Sequence, residues 1–208
     1  MKLTNAEKLI LTMLADMHEK LEIDEVDTKL IKQAIYSNNT WALSWERPGI
    51  VGDSAEPTPP EVSLVVDMLD MWSFIEEAYE RFDATEKSAL EAKADPFGKH
   101  VAFSGFDGNN ESEYMSIANF LVKDMDRFSR FASRDLNSHC PSIDGYQRML
   151  PKFLAIRPTL VGRGLSVEEM AEVLKAIVES RRNVLISGGT GSGKTTLLNA
   201  MSSYINHR

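Results

Sequence analysis

The sequence predicts a mainly α-helical protein, a multi-helix bundle that ends in a short strand, a phosphate-binding loop and a helix. Apolar residues recur at helical spacing through most of the 208 residues. Capping boxes, in which a Ser or Thr is followed three residues later by Glu, mark helix starts at Thr4 and Ser166. A glycine-rich run after residue 186 predicts the terminal fragment. We expect roughly six to eight helices, whose apolar faces require a compact core or a homodimer.

Charge and composition exclude several classes of protein. The formal net charge is −8; residues 178–208 carry +3, which leaves −11 on the first 177 residues. Proteins bind nucleic acid by neutralising its phosphates with basic side chains. Because residues 1–177 are strongly acidic, we do not expect a nucleic-acid partner. No apolar run approaches the roughly 18 residues of a membrane span, so we expect no membrane insertion.

The expected location is the cytoplasm. The first eight residues carry charges where a signal peptide has its apolar core. Cys140 is the one cysteine, so no intrachain disulfide can form, as is usual in a reducing compartment. We interpret Cys140 as incidental rather than catalytic, although His139 is its neighbour.

Three helices are predicted before residue 83. The first follows Thr4 and carries an apolar stripe made of Ile10, Leu11, Leu14, Met17 and Leu21. The second opens at Asp27 and ends near Asn38, and Glu61–Phe82 forms the third. The acidic residues of this third helix could be metal ligands, but a solvated face explains them better. They are Asp67, Asp70, Glu76, Glu77 and Glu80.

Two tryptophans and a loop lie between the second and third helices. Trp41 and Trp45 could form a stacking platform for a base. With no Lys/Arg cluster around them, we interpret them as core or interface anchors. The prolines and glycines from Glu46 to Pro60 predict a loop.

The second half is predicted to be helical as well. A short helix, Ala84–Ala94, precedes an extended piece at His100–Asn110 and a long helix over Glu111–Ala132. Helices follow over Ile143–Ile156, where Pro151 should kink or restart the helix, and from Ser166 to Ile177. The long helix ends with Arg127, Arg130 and Arg134, which could bind a phosphate, but the preference of a helix C-terminus for cations explains them better.

The run from Gly188 to Thr195 matches G-x-x-x-x-G-K-T, the P-loop pattern, between a short apolar run and a helical pattern. Backbone N–H groups of such a loop cradle phosphates, Lys194 would reach the β- and γ-phosphates, and Thr195 would ligate Mg²⁺. The expected cofactor is therefore ATP with Mg²⁺. The expected binding residues are Gly188, Gly189, Thr190, Gly191, Ser192, Gly193, Lys194, Thr195 and Thr196.

Residues from about 3 to 176 resemble the YfbU family of bacterial cytoplasmic proteins. The resemblance is carried by Leu3–Leu11, by Phe103–Asp107 followed by Glu113 and Tyr114, by Gly145–Leu150 and by Leu165–Met170. It implies a helical domain over 1–176 with a binding or regulatory role that is not established for the family.

A second resemblance covers the end of the chain. Arg181–Ala200 is similar to the Walker A region of secretion-superfamily ATPases, which serve pilus assembly and type II or type IV secretion. It implies a truncated P-loop segment over 177–208. Hydrolysis also needs an acidic residue that helps hold Mg²⁺, a group that orients water and usually an arginine. The chain offers none of these, so we expect nucleotide binding at most and no self-sufficient ATPase.

Three hypotheses remain open at this point. The chain is a non-enzymatic helical module with a vestigial P-loop, a nucleotide-binding switch, or a piece of a secretion motor. The acidic body shows no catalytic constellation. The expected partners are a second copy of the chain, in a homo-oligomer, or an unidentified protein.

Overall fold

The computed structural model describes residues 3–48 and 57–177. These ranges contain eight α-helices and no β-strand, so the mainly α prediction is confirmed for them. The predicted strand, P-loop and final helix lie outside the described residues. The helices are α1 Asn5–Lys20, α2 Thr28–Tyr36, α3 Trp41–Glu46, α4 Pro60–Arg81, α5 Ala84–Lys93, α6 Ser112–Asn119, α7 Ile143–Ile156 and α8 Val167–Lys175.

The described residues divide into two compact units. Unit 1 comprises the residues up to Val66 together with Glu111–Asn137, and unit 2 comprises Asp67–Asn110 together with the residues from Ser138 onward. The division falls within α4.

In unit 1, local capping fixes the first two helices. The Thr4 side chain accepts from the backbone N–H of Glu7, and the Glu7 carboxylate accepts from the N–H of Thr4 at 2.7 Å, which completes the predicted capping box. Asp27 caps α2 by accepting from the N–H of Leu30 at 2.8 Å. Helix α2 packs against α1 and buries Leu30 and Ala34.

The predicted apolar stripe of α1 does not face the core. Among the described residues of this helix only Ala15 is buried, whereas Leu14, Met17 and the C-cap residue Leu21 are each about half exposed or more. The prediction of the helix was correct, and the structure shows that its apolar side is largely exposed. Amphipathic spacing identifies an apolar side without saying what covers it.

The long helix predicted over Glu111–Ala132 was also wrong. Helix α6 ends at Asn119 and continues as a π-helical turn, Phe120–Asp124, which the Met125 N–H closes by donating to the Phe120 carbonyl. Asp126 and Phe128 then adopt left-handed backbone conformations, with φ of 51° and 54°. Glycine usually occupies such positions, so the sequence carries no stop signal here.

Consequently the three arginines do not end the predicted long helix, and Arg130 lies instead in a 3₁₀ turn, Ser129–Phe131. The Arg127 guanidinium lies over the Trp45 ring, 5.1 Å from its centroid, and Arg134 lies over the Phe131 ring. Trp41 is buried and packs edge-on against Trp45 at 5.0 Å, which confirms both tryptophans as anchors rather than a stacking platform for a base.

Unit 2 is built from the second part of α4 with α5, α7 and α8. Helix α8 packs against both α5 and α7, and the Ser166–Glu169 capping box that opens it is present as predicted. Pro151 lies inside α7, and the helix runs on through it to Ile156. The large fully buried side chains here are Met68, Leu69, Met71, Ile75, Leu90, Phe106, Met149 and Phe153.

One acidic residue of α4 is not on a solvated face. Glu76 is only 3% exposed, and its Oε1 accepts from the backbone N–H of Phe103 at 2.7 Å. Such a bond holds the chain after α5 against α4, because a buried carboxylate requires hydrogen-bond donors. The solvated-face interpretation therefore fails at this position.

Candidate functional site

Unit 2 contains a cleft of about 480 Å³. Its walls come from α4, from the turn after α5, from the extended segment 100–104, from the loop before α7, and from α7 and α8. Aromatic and aliphatic side chains alternate with a few polar groups along these walls. The lining residues used below are Trp72, Phe97, His100, Ser104, Cys140, Asp144, Tyr146, Arg148 and Leu174.

An aromatic cluster forms one wall of this cleft. The Trp72 ring meets Tyr146 edge-on with centroids 5.5 Å apart and lies 6.1 Å from Phe103. Phe103 in turn packs on Tyr146 at 5.6 Å and on Phe106 at 5.7 Å. Because these rings interlock, the wall is rigid and presents apolar area with a defined shape.

The indole N–H of Trp72 is the unusual group. The residue lines the cleft, is 4% exposed, and its buried Nε1 has no hydrogen-bond partner among the described residues. A buried donor without an acceptor costs about 1–3 kcal/mol. An acceptor placed beside Nε1 would recover that free energy.

Trp41 in unit 1 gives the contrasting case. It lines a cavity of about 550 Å³, and its Nε1 donates to Asn39 Oδ1 at 3.0 Å. The Asn39 amide donates to the hydroxyls of Ser37 and Ser116. The Trp41 donor is thus paired within the chain, whereas Trp72 Nε1 has no partner among the described residues.

The backbone around the cleft is held by specific hydrogen bonds. Ser142 Oγ donates to the Gly105 carbonyl at 2.8 Å, and Gly105 has a φ of +88°, a conformation that favours glycine. On the far side, Arg148 Nε donates to the Ile177 carbonyl at 2.7 Å. These bonds fix the segment before α7 and the residue after α8 at the rim.

A turn next to the 100–104 segment is fixed by a carboxylate. Asp107 accepts from the side chain of Asn110 and from the backbone N–H of Asn109. The side-chain bond from Asn110 and then the backbone bond from Asn109 hold the pKa of Asp107 below its usual range. The Asp107 carboxylate therefore serves the turn and is not a free acid or base.

The cleft wall offers recognition chemistry. His100, Ser104 and Asp144 supply polar atoms, and Cys140 is an exposed free thiol. Among the described residues no group of three or more His, Cys, Asp or Glu side chains could hold a metal ion. The cleft thus combines apolar side chains with a few polar groups.

The residues predicted from the P-loop pattern, Gly188–Thr196 with Thr195 as the Mg²⁺ ligand, lie outside the described residues. They stay a prediction. The cleft itself was not predicted, although two segments noted for their resemblance, Phe103–Asp107 and Gly145–Leu150, supply the aromatic cluster and part of the wall.

No helix within residues 3–48 and 57–177 is long and apolar enough to cross a membrane.

Fold and site together define a class: a helical protein whose second unit encloses an aromatic-walled cleft. Comparison with known families makes the assignment more specific. The chain belongs to the YfbU family, whose domain model matches residues 1–176.

Two relatives illustrate its similarities. UPF0304 protein MJECS11 of Methanocaldococcus jannaschii is 30% identical over 95 residues, which are 43% of this chain. The matched part spans 53% of that protein, about half its length. Conjugal transfer protein TrbB of Rhizobium radiobacter is 53% identical over 38 residues, 18% of this chain and 12% of that protein.

Proposed function

We propose that the YfbU domain of this chain is a small-molecule-binding module and that the cleft of unit 2 is its ligand site. The observation that carries the proposal is that Trp72 lines an aromatic cleft while its buried indole N–H has no hydrogen-bond partner among the described residues. A volume of about 480 Å³ lies within the range of roughly 300–1,000 Å³ that is typical of ligand pockets.

The wall specifies the chemistry of the ligand. Interlocked rings of Trp72 and Tyr146 favour a planar aromatic compound, because ring edges and faces pack well against other rings. The Trp72 donor requires an acceptor on that compound, such as a carbonyl oxygen or a ring nitrogen. The proposed ligand class is therefore an uncharged aromatic compound with one hydrogen-bond acceptor.

A matched pair of probes tests this requirement. Acetophenone has an aromatic ring and a carbonyl oxygen, whereas ethylbenzene has a similar shape and no acceptor. A net hydrogen bond of about 0.5–1.5 kcal/mol predicts that acetophenone binds the whole chain roughly 3- to 10-fold more tightly. Because Cys140 is the sole cysteine and lies in the cleft wall, slower labelling of its thiol reports occupancy.

The Trp72→Phe variant separates the donor from the apolar wall. It keeps an aromatic ring and removes the N–H, so we expect the preference for acetophenone over ethylbenzene to disappear. Trp45→Phe is the matched control, since Trp45 lies in unit 1 and its Nε1 donates to Thr58. Equal labelling of Cys140 with and without acetophenone in the unmodified chain would contradict the proposal.

A second candidate function is binding of nucleotide phosphates by Gly188–Thr195. The P-loop pattern supports it. Lys194 would contact the β- and γ-phosphates, and Thr195 would ligate Mg²⁺. This candidate covers binding of the phosphates alone, because turnover would also require an acidic residue that helps hold Mg²⁺, a group that orients water and usually an arginine.

Titration calorimetry with Mg-ATP tests this candidate. We expect heat of binding at millimolar concentration or below, and its loss in Lys194→Ala, because the variant removes the cation that faces the phosphates. Ser202→Ala lies outside the G-x-x-x-x-G-K-T pattern and is the control. Absence of binding in the unmodified chain would remove the candidate, and turnover that depends on Lys194 would replace it with an ATPase.

The remaining alternative is that the P-loop belongs to a longer secretion-type ATPase, with ATP hydrolysis in that whole protein. The reading frame after Arg208 discriminates between the two. If the frame continues into a strand that carries an acidic residue for Mg²⁺, together with the remaining catalytic groups, this alternative would be favoured over phosphate binding alone.

A further inference from the structure

Helix α1 is attached to unit 1 through its polar side. The Lys32 ammonium on α2 contacts Asp16 Oδ1 at 2.6 Å and Glu19 Oε2 at 2.7 Å. Thr28 Oγ1 also donates to Glu19, at 3.1 Å. The buried residue of α1 is the small Ala15. The ion pairs and the small residue thus turn the polar side of α1 toward α2.

The opposite side of α1 is apolar and exposed. In the structure the apolar stripe includes Leu9 and Met13 in place of the predicted Leu11, and its six large side chains are 49–65% exposed. They are Leu9, Ile10, Met13, Leu14, Met17 and Leu21. Contiguous apolar surface of this kind marks an interaction site, because burying it removes apolar area from water.

We propose that the apolar stripe is a self-association surface, on which a second copy of this chain packs its own stripe. Ile10, Leu14, Met17 and Leu21 follow one another at spacings of four, three and four residues, the seam spacing of paired helices. A stripe of six such side chains offers on the order of 500 Å² per copy, so two copies reach the roughly 1,000 Å² that a specific interface needs.

Charge favours a second copy over other occupants. None of the six stripe side chains is charged, so two stripes can meet without like charges inside the contact. The chain carries a net charge of −8, which opposes docking on an anionic lipid surface or on nucleic acid. A closed two-fold pair also buries both stripes completely, as symmetric dimers do.

The inference is independent of the ligand site. The stripe belongs to unit 1 and the cleft belongs to unit 2. A failed ligand titration therefore leaves the self-association unaffected, and a monomeric chain leaves the ligand proposal unaffected.

Sedimentation of the full chain across micromolar concentrations tests the proposal. We expect a reversible dimer, and we expect Met13→Glu with Met17→Glu to raise the dimer dissociation constant roughly 100-fold or more, because carboxylates would be buried opposite their copies. These side chains are exposed in the single chain, and Glu forms helices well, so circular dichroism should show unchanged helix content.

Val161→Glu provides the matched control. Val161 is an apolar residue that is 89% exposed and lies in unit 2, so the variant adds a carboxylate outside the stripe. Its dissociation constant should stay within about twofold of the unmodified chain, since exposed surface charges contribute little. A chain that is monomeric at every concentration, or a control that dissociates as fully as the stripe variant, would overturn the proposal.

Discussion

Glu169 has two roles at the start of α8. Its carboxylate completes the capping box by accepting from the N–H of Ser166 at 2.9 Å, and it forms a bidentate pair with Arg163, with both N–O distances at 2.8 Å. The Arg163 hydrogen bonds, followed by those from Ser166, lower the pKa of Glu169 to about 2. The carboxylate is therefore ionised in the folded chain at pH values where an unfolded glutamate is already protonated.

This shift predicts a pH-dependent stability. Because the folded pKa is lower than the unfolded value, Glu169 stabilises the fold fully above about pH 4.5, and the contribution is lost as the pH falls toward 2. Glu169→Gln keeps an acceptor for the cap and removes the charge. We expect it to lower the free energy of unfolding by about 1–2 kcal/mol at pH 7, allowing for partial exposure. The difference should shrink at pH 3 in denaturant titrations.

Glu168→Gln is the control for that measurement. Glu168 is the neighbouring residue, pairs with Lys93 and has a side chain that is 69% exposed. Its substitution should leave the unfolding free energy nearly unchanged, because exposed ion pairs contribute little. An equal loss in both variants, or a Glu169→Gln loss that persists at pH 3, would contradict the assignment of the effect to the Arg163 pair.

Single residues mark where sequence reasoning stops. Trp72 belongs to the apolar pattern of α4, and its burial follows from that pattern. The pattern does not predict whether the Trp72 N–H has a hydrogen-bond partner, because that partner would come from residues that are distant in the chain. For Glu76 the sequence predicts exposure, because the side chain is charged. The structure buries it, and the backbone N–H of Phe103 makes this possible by donating to its carboxylate.

At the scale of elements, six helices could be predicted from the sequence: α1, α2, α4, α5, α7 and α8. Their periodicity and caps are local signals, and the bounds agree to within a few residues. The short α3 was missed, since six residues carry too little periodicity. The end of α6 was missed because non-glycine residues take left-handed conformations there.

Two glycines give opposite predictions for elements of unit 2. A Cβ on Gly98 would lie 2.6 Å from the Leu90 carbonyl oxygen and 2.9 Å from the Glu91 Cα, which are backbone atoms of α5. Gly98→Ala should therefore destabilise the chain by about 1–3 kcal/mol. Gly145 lies within α7, where the nearest side chain to a new Cβ is 3.8 Å away, at Ile177. Gly145→Ala should stabilise by about 0.5 kcal/mol.

Thermal unfolding of the two variants checks both signs. The pair controls for itself, because the chemical change is the same at both positions. A Gly98→Ala chain as stable as the unmodified one would show that the turn after α5 can move away from α5.

At the scale of the whole chain, the fold class was predictable and the candidate site was not. Helical periodicity is repeated along the sequence, so the mainly α class follows from many independent segments. The cleft combines residues from α4 to α8, more than 70 positions apart between Trp72 and Tyr146. No local pattern contains that juxtaposition. The P-loop is the opposite situation. Its residues form a strong local pattern in the sequence, and nucleotide binding by them stays a prediction.

The central claim is that the Trp72 indole N–H binds the acceptor of an aromatic ligand. Indole N–H resonances of the ¹⁵N-labelled chain test it most directly, since the three tryptophans give three signals and Trp72→Phe assigns one. We predict that acetophenone at millimolar concentration shifts the Trp72 signal downfield and leaves that of Trp41, which is bonded to Asn39, in place. An unmoved Trp72 signal, or the same downfield shift with ethylbenzene, would contradict the account.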